Sequence, residues 1–73
     1  FEQASALEQQ GKGNEAVKIY IRAFRSGNGK AAKRLGDIYD KGLAGVSRDY
    51  AESLKWYNAA RTMGEDVPLQ TRR

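Results

Sequence analysis

The stretch AAKRLGDIYDKGLAGVSRDYAESLKWYNAARTMG, residues 31–64, decides how the whole chain is to be read. Its first part sets Ala32, Leu35, Gly36 and Tyr39 on one face at helical spacing. Asn28 stands just ahead as an N-cap, its side-chain oxygen available to the first free backbone N–H groups, and Gly42 stops the segment. A loop through Gly45 follows; Gly42 and Gly45 both permit the positive φ at which a side chain would clash. Asp49 then opens a second helix, with Glu52 at capping-box spacing and Asp in place of Ser or Thr. Along it Tyr50, Leu54 and Tyr57 make one line, and Ser53, Trp56, Ala60 and Met63 another. Together they give a wide, aromatic-rich face to bury, and Gly64 ends the helix.

Upstream, Phe1 to Gln10 holds good helix formers and neither proline nor glycine, with Phe1, Ala4 and Leu7 recurring at helical spacing. Gly11 and Gly13 close it, and Asn14 reads as the next N-cap. From Glu15, the residues Ala16, Val17, Ile19, Tyr20, Ala23 and Phe24 form a broad apolar stripe, and Gly27 stands where a helix wants a left-handed terminator. Val17 to Ile21 alone would pass for a strand; the longer spacing and the signals at both ends decide for helix. Four helices are therefore expected, over 2–10, 15–26, 29–41 and 50–63. Short glycine turns make consecutive helices antiparallel neighbours. The expected fold class is all-α: two antiparallel hairpins, one over 1–28 and one over 29–64, with 65–73 a linker or tail holding Pro68, Arg72 and Arg73.

The two hairpins resemble each other. With Gly27 laid on Gly64 and no gap, Ala16 falls on Ser53, Val17 on Leu54, Ile19 on Trp56, Tyr20 on Tyr57 and Ala23 on Ala60. The first and third helices align through Ala4 with Ala32 and Leu7 with Leu35. The second unit runs Ala31-Ala32, Leu35-Gly36, Tyr39, Gly42, Gly45-Val46, Asp49, Trp56-Tyr57, Ala59-Ala60 and Gly64. Almost position by position it resembles the Sel-one-like repeat, a branch of the tetratricopeptide superfamily. Two departures are visible: one extra residue between Gly42 and Gly45, and Ser53 where the family usually has alanine. The first unit keeps only the helix faces, since Leu7 is followed by Glu8 and not by glycine and the Gly-Val-Asp loop is missing. It reads as a worn repeat or an end cap. The resemblance implies a short α-α solenoid in which each unit buries its face against the next.

Composition bounds the possible chemistry. The 73 residues hold no cysteine and no histidine, which removes disulfides, thiolate and imidazole metal ligands, cysteine nucleophiles and histidine acid–base work. A chain of this size buries only about 60% of its unfolded surface, so it relies on well-packed helices or neighbours. No apolar run approaches the roughly 20 residues that span a bilayer. The chain begins at Phe1 with no charged-then-apolar leader, so a piece of a longer protein or a processed chain is expected. Lack of cysteine suits cytoplasm and periplasm alike. The resemblance implies a bacterial setting, exported or envelope-associated, or eukaryotic endoplasmic-reticulum quality control.

Candidate chemistry is thin. Asp37 and Asp40 share a helical face, as an acid–base pair would require, but charged residues on a solvated helix face are the commoner explanation. Ser5, Ser26, Ser47 and Ser53 have no histidine to activate them. Gly11-Lys12-Gly13 and Gly27-Asn28-Gly29-Lys30 are too short for a phosphate loop and read as helix stops. No enzymatic activity and no cofactor are expected. In tetratricopeptide-type arrays the first helix of each hairpin lines a concave groove. Carried over with Leu35, Gly36 and Tyr39 as register, the resemblance puts Lys33, Asp37 and Asp40 on that groove, with Lys30 and Lys41 at its ends. The expected partner is a protein or peptide of complementary charge, and the expected role is a scaffold or adaptor. Two alternatives stand beside it. Net charge is +4, and Arg22, Arg25, Lys30, Lys33 and Arg34 cluster around one turn, as a small nucleic-acid-binding domain would have them. The segment would otherwise be a purely structural cap.

Overall fold

In the computed structural model residues 2–67 are described, and they form four helices: α1 Glu2–Gln9, α2 Gly13–Arg25, α3 Gly29–Lys41 and α4 Tyr50–Thr62. No β-strand is found among the described residues; Leu43 and Val46 make one isolated antiparallel bridge in the loop between α3 and α4. The chain is all-α. Phe1 of the expected first helix, and Pro68, Arg72 and Arg73 of the expected tail, lie outside the described residues.

Three helix ends are built alike. α1, α2 and α4 are each followed by a glycine at positive φ, namely Gly11, Gly27 and Gly64. The glycine N–H donates to Glu8, Phe24 and Arg61 respectively, and the next amide reaches one residue further back, Lys12 to Leu7, Asn28 to Ala23 and Glu65 to Ala60. This is Schellman closure, which satisfies carbonyls that the ending helix would orphan. Asn28 then serves twice, because its Oδ1 accepts from the Lys30 N–H at 3.1 Å and so caps α3.

The start of α2 differs from the expected one. Asn14 is not its N-cap: the helix begins at Gly13, behind Lys12, with no side chain accepting from its first amides. The Gly13 N–H donates instead to the Ala44 carbonyl in the α3–α4 loop, at 3.0 Å. A Cβ on residue 13 would sit 2.5 Å from that oxygen, so the loop closes over the helix start only because glycine stands there. A long-range backbone bond replaces the local cap. At α4, Asp49 Oδ1 does accept from the Glu52 N–H, at 3.2 Å. The capping box is only half made, because the Asp49 N–H goes to the Tyr39 carbonyl and Glu52 accepts from Trp56 Nε1 at 3.2 Å.

α3 and α4 run antiparallel, as their contacts show along the length: Tyr39 meets Asp49, Gly36 meets Ser53 and Tyr57, and Gly29 meets Met63. The two helices come close at Gly36, where an added Cβ would lie 2.5 Å from the Tyr57 ring. Ser53 is fully buried and its hydroxyl donates to the Gly36 carbonyl at 2.9 Å, so the serine ties the pair instead of weakening it. α2 packs against α1 and α3. It also reaches α4 through Phe24, whose ring meets Trp56 edge to face at 5.5 Å. Ala4, Ala16, Ala31, Ala32 and Ala60 are buried where helices come close, and Tyr20, Leu35, Ile38, Trp56 and Tyr57 fill the rest of the core.

Two residues expected in the buried face of α4 are on the surface: Tyr50 is 47% and Met63 39% exposed. Tyr50 is the first residue of α4 and Met63 its C-cap, beside Gly29 at the start of α3, so helical phase alone does not cover them. Beyond Gly64, Val67 packs against the core, and Glu65 lies beside Gly29.

Candidate functional site

The largest polar constellation links all four helices. Tyr20 on α2 donates its hydroxyl to Glu8 on α1 at 2.6 Å. Arg34 on α3 grips the same carboxylate with two nitrogens, Nε at 3.0 Å from Oε2 and Nη2 on Oε1. The Arg34 Nη1 also lies 4.0 Å from Asp37, and Asp37 accepts the hydroxyl of Tyr57 on α4. The Glu8 side chain is only 7% exposed, whereas Arg34 is 44% exposed. A carboxylate this covered is tolerated because a forked guanidinium and a phenol satisfy it.

The electrostatics follow from that arrangement. Burial pushes the Glu8 carboxyl up, but the bonds from Arg34 and Tyr20 outweigh it and hold the group below its ordinary value. Burial, then the bond to Glu8, raises the Tyr20 hydroxyl; burial, then Asp37, raises Tyr57 well above the usual phenol range. Arg34 is held above its ordinary value chiefly by its bonds to Glu8. Every one of these shifts favours the form that makes the network: ionised Glu8, neutral tyrosines, charged arginine. The network is a clamp. No buried polar side-chain atom among the described residues lacks a partner.

The positions expected to line a groove on α3 are unequal. Lys30 and Lys41 are exposed at its two ends, and Lys33, Asp37 and Asp40 are half-buried between them. Asp37 is committed to Tyr57 and Arg34, so it does not face outward as a free charge. The Asp40 backbone carbonyl accepts from Arg48 Nε at 3.1 Å, which fastens the α3–α4 loop to the end of α3. The basic residues expected around one turn separate: Arg34 turns to Glu8, Arg22 and Arg25 share a shallow cleft with Lys18 and Ile21, and Lys30 lines another with Glu65. Glu8 had no assigned role in the sequence. One signal was present: it lies four residues from Ala4, on the stripe that α1 buries.

A cleft of about 420 Å³ opens where α2, α3 and the α3–α4 loop meet, with Val17, Tyr39 and Val46 in its wall and Lys18 and Arg48 among its polar residues. Among the described residues no group of three or more acidic side chains is placed to hold a metal ion. No helix there is long and apolar enough to cross a membrane. Comparison with family models, with curated proteins and with solved structures finds no match to this chain.

Proposed function

We propose that this chain is a non-enzymatic interaction module, built as two stacked helical hairpins of the Sel-one-like, tetratricopeptide type, which offers its α3 surface to a protein or peptide. The observation that carries the reading is one packing device made twice. In each helix pair a buried tyrosine of the second helix gives its hydroxyl to a carboxylate of the first, Tyr20 to Glu8 and Tyr57 to Asp37. These are the same two tyrosines that superpose when Gly27 is laid on Gly64, and the paired Ala16 and Ser53 are both 0% exposed. Gly36 makes room for the Tyr57 ring and the next residue takes the hydroxyl. In the first pair Glu8 stands in glycine's place and takes the hydroxyl itself. The glycine departure in the first unit therefore keeps the function of the contact.

Stacking is supported by the bonds that cross between the pairs, Arg34 to Glu8 and Phe24 to Trp56. A charge clamp and an edge-to-face ring contact give the units a fixed mutual orientation, which is what a scaffold needs to present a surface. The carboxylates that would interest an enzymologist, Glu8 and Asp37, have structural work in this reading. On α3 the free groups are Lys30, Lys33, Asp40 and Lys41, a mixed-charge surface suited to a peptide of complementary pattern.

The test is a peptide-display selection on the folded protein, counter-selected against a Lys33→Glu, Asp40→Lys variant. Peptides that bind the wild-type chain and lose about tenfold or more in affinity on the swap, some 1.4 kcal/mol, are expected. Peptides indifferent to the swap, alongside tight and salt-sensitive binding of generic nucleic acid, would overturn the reading.

A further inference from the structure

α2 carries a second surface, independent of the α3 face. Lys18, Ile21, Arg22 and Arg25 follow one line of the helix and form a shallow cleft of about 330 Å³. Lys18 also lines the cleft of about 420 Å³ with Val17, Tyr39, Val46 and Arg48, so the two meet at this lysine. The result is a continuous strip, three cations long, that ends in an apolar notch with a fourth cation beside it. Among the described residues the ion pairs involve only Arg34 and Lys55 as cations, so Lys18, Arg22, Arg25 and Arg48 are not neutralised by any of them. Asp49 also lines the notch, but its carboxylate caps the start of α4. Ile21 is half-buried and packs against the core from beneath the cations, giving the strip an apolar floor.

We propose that this strip docks an acidic helical segment of a partner protein, its carboxylates against Lys18, Arg22 and Arg25 and one aliphatic or aromatic side chain seated in the notch. The spacing fits. From Lys18 to Arg25 α2 rises roughly 10 Å, and carboxylates at positions i, i+4 and i+7 of a second helix repeat at the same intervals. The apolar notch distinguishes such a segment from a phosphate backbone, which would use the cations and leave the half-buried Tyr39 and Val46 uncovered. Charge complementarity sets orientation and encounter rate, and the notch supplies an anchor.

The experiment uses the whole chain and a labelled synthetic helix of about 18 residues, long enough to hold helical structure. It carries glutamates at i, i+4 and i+7 and one leucine at the end that meets the notch. Fluorescence anisotropy is read against a scrambled peptide of identical composition, a peptide with that leucine changed to alanine, a single-stranded oligonucleotide and vesicles of anionic lipid. The patterned peptide should bind about tenfold or more tightly than the scrambled one, and the leucine change should weaken it severalfold. Arg22→Glu with Arg25→Glu should cost a further tenfold or more. The neutral pair Lys18→Gln with Arg22→Gln should give a smaller loss in the same direction, with the helical circular dichroism of both variants unchanged. Equal binding of patterned and scrambled peptides would overturn the proposal. So would tighter binding of the oligonucleotide or the vesicles with the same loss on charge reversal. Peptides selected on the α3 surface should be unaffected by these α2 variants, which separates failure of this proposal from failure of the interaction-module reading.

Discussion

A methyl group added at Gly36 would lie 2.5 Å from Cδ1 of Tyr57 and 2.8 Å from Cγ, well inside contact distance. The ring cannot withdraw cheaply, because Tyr57 is 2% exposed and its hydroxyl is held by Asp37. Alanine is the better helix former by about 1 kcal/mol, so propensity alone would favour the change. Overpacking of a filled core usually costs about 1–3 kcal/mol, and here the clash with the confined Tyr57 ring should win. Gly36→Ala is expected to lower stability by about 1–3 kcal/mol, read as a reduced denaturant midpoint with little change in its slope. An unchanged or raised midpoint would mean that the two helices stand further apart.

At the scale of elements, most of the design was legible and the exceptions share one cause. α3 runs from Gly29 to Lys41 as expected, because Asn28 and Gly42 are local signals that act on their own helix. The start of α2 was misplaced because its first N–H is satisfied by Ala44, which lies far along the chain, and no local pattern announces such a partner. Asn14 has the right chemistry for a cap; the loop simply bonds one residue earlier, at Gly13. Tyr50 and Met63 carry the correct helical phase yet stay exposed, because phase does not say how completely a neighbour covers the ends of a helix. The Glu8–Arg34 clasp was illegible for the same reason, since it joins two helices through space. Docking of the loop on α2 is itself testable. Gly13→Ala meets a backbone oxygen, which cannot swing aside, and should cost about 1–3 kcal/mol while leaving helix content nearly unchanged. Faster amide exchange across residues 43–46 should accompany it. A variant as stable as the parent, with those amides equally protected, would show that the loop does not close there.

For the molecule as a whole, the clamp makes stability depend on pH in a defined way. Glu8 is held below its ordinary 4.5 in the folded chain, so its contribution is present above the unfolded value and is lost as pH falls through the folded one. Tyr20 and Tyr57 are raised above 10.0, so their contribution is complete below that value and is lost as pH rises beyond it. Thermal melts from about pH 3 to about pH 11 should show a plateau with both shoulders falling. Glu8→Gln should lower the neutral plateau by only about 1–2 kcal/mol, because Arg34 is 44% exposed and water replaces part of what it loses. It should also flatten the acid limb below pH 4.5. An acid limb as steep in Glu8→Gln as in the parent would assign acid unfolding to other carboxylates.

The fold depends on α3 and α4 meeting at Gly36 while Arg34, two residues before it, holds Glu8 of the first pair. Nuclear magnetic resonance on the isotopically labelled chain reads both contacts in one sample. Cross-peaks are predicted from the Gly36 Hα protons to the Tyr57 ring, with those protons moved upfield by the ring current, and from the Arg34 side chain to Glu8. A strongly helical chain whose Gly36 protons stay at random-coil shifts, with neither set of cross-peaks, would contradict it.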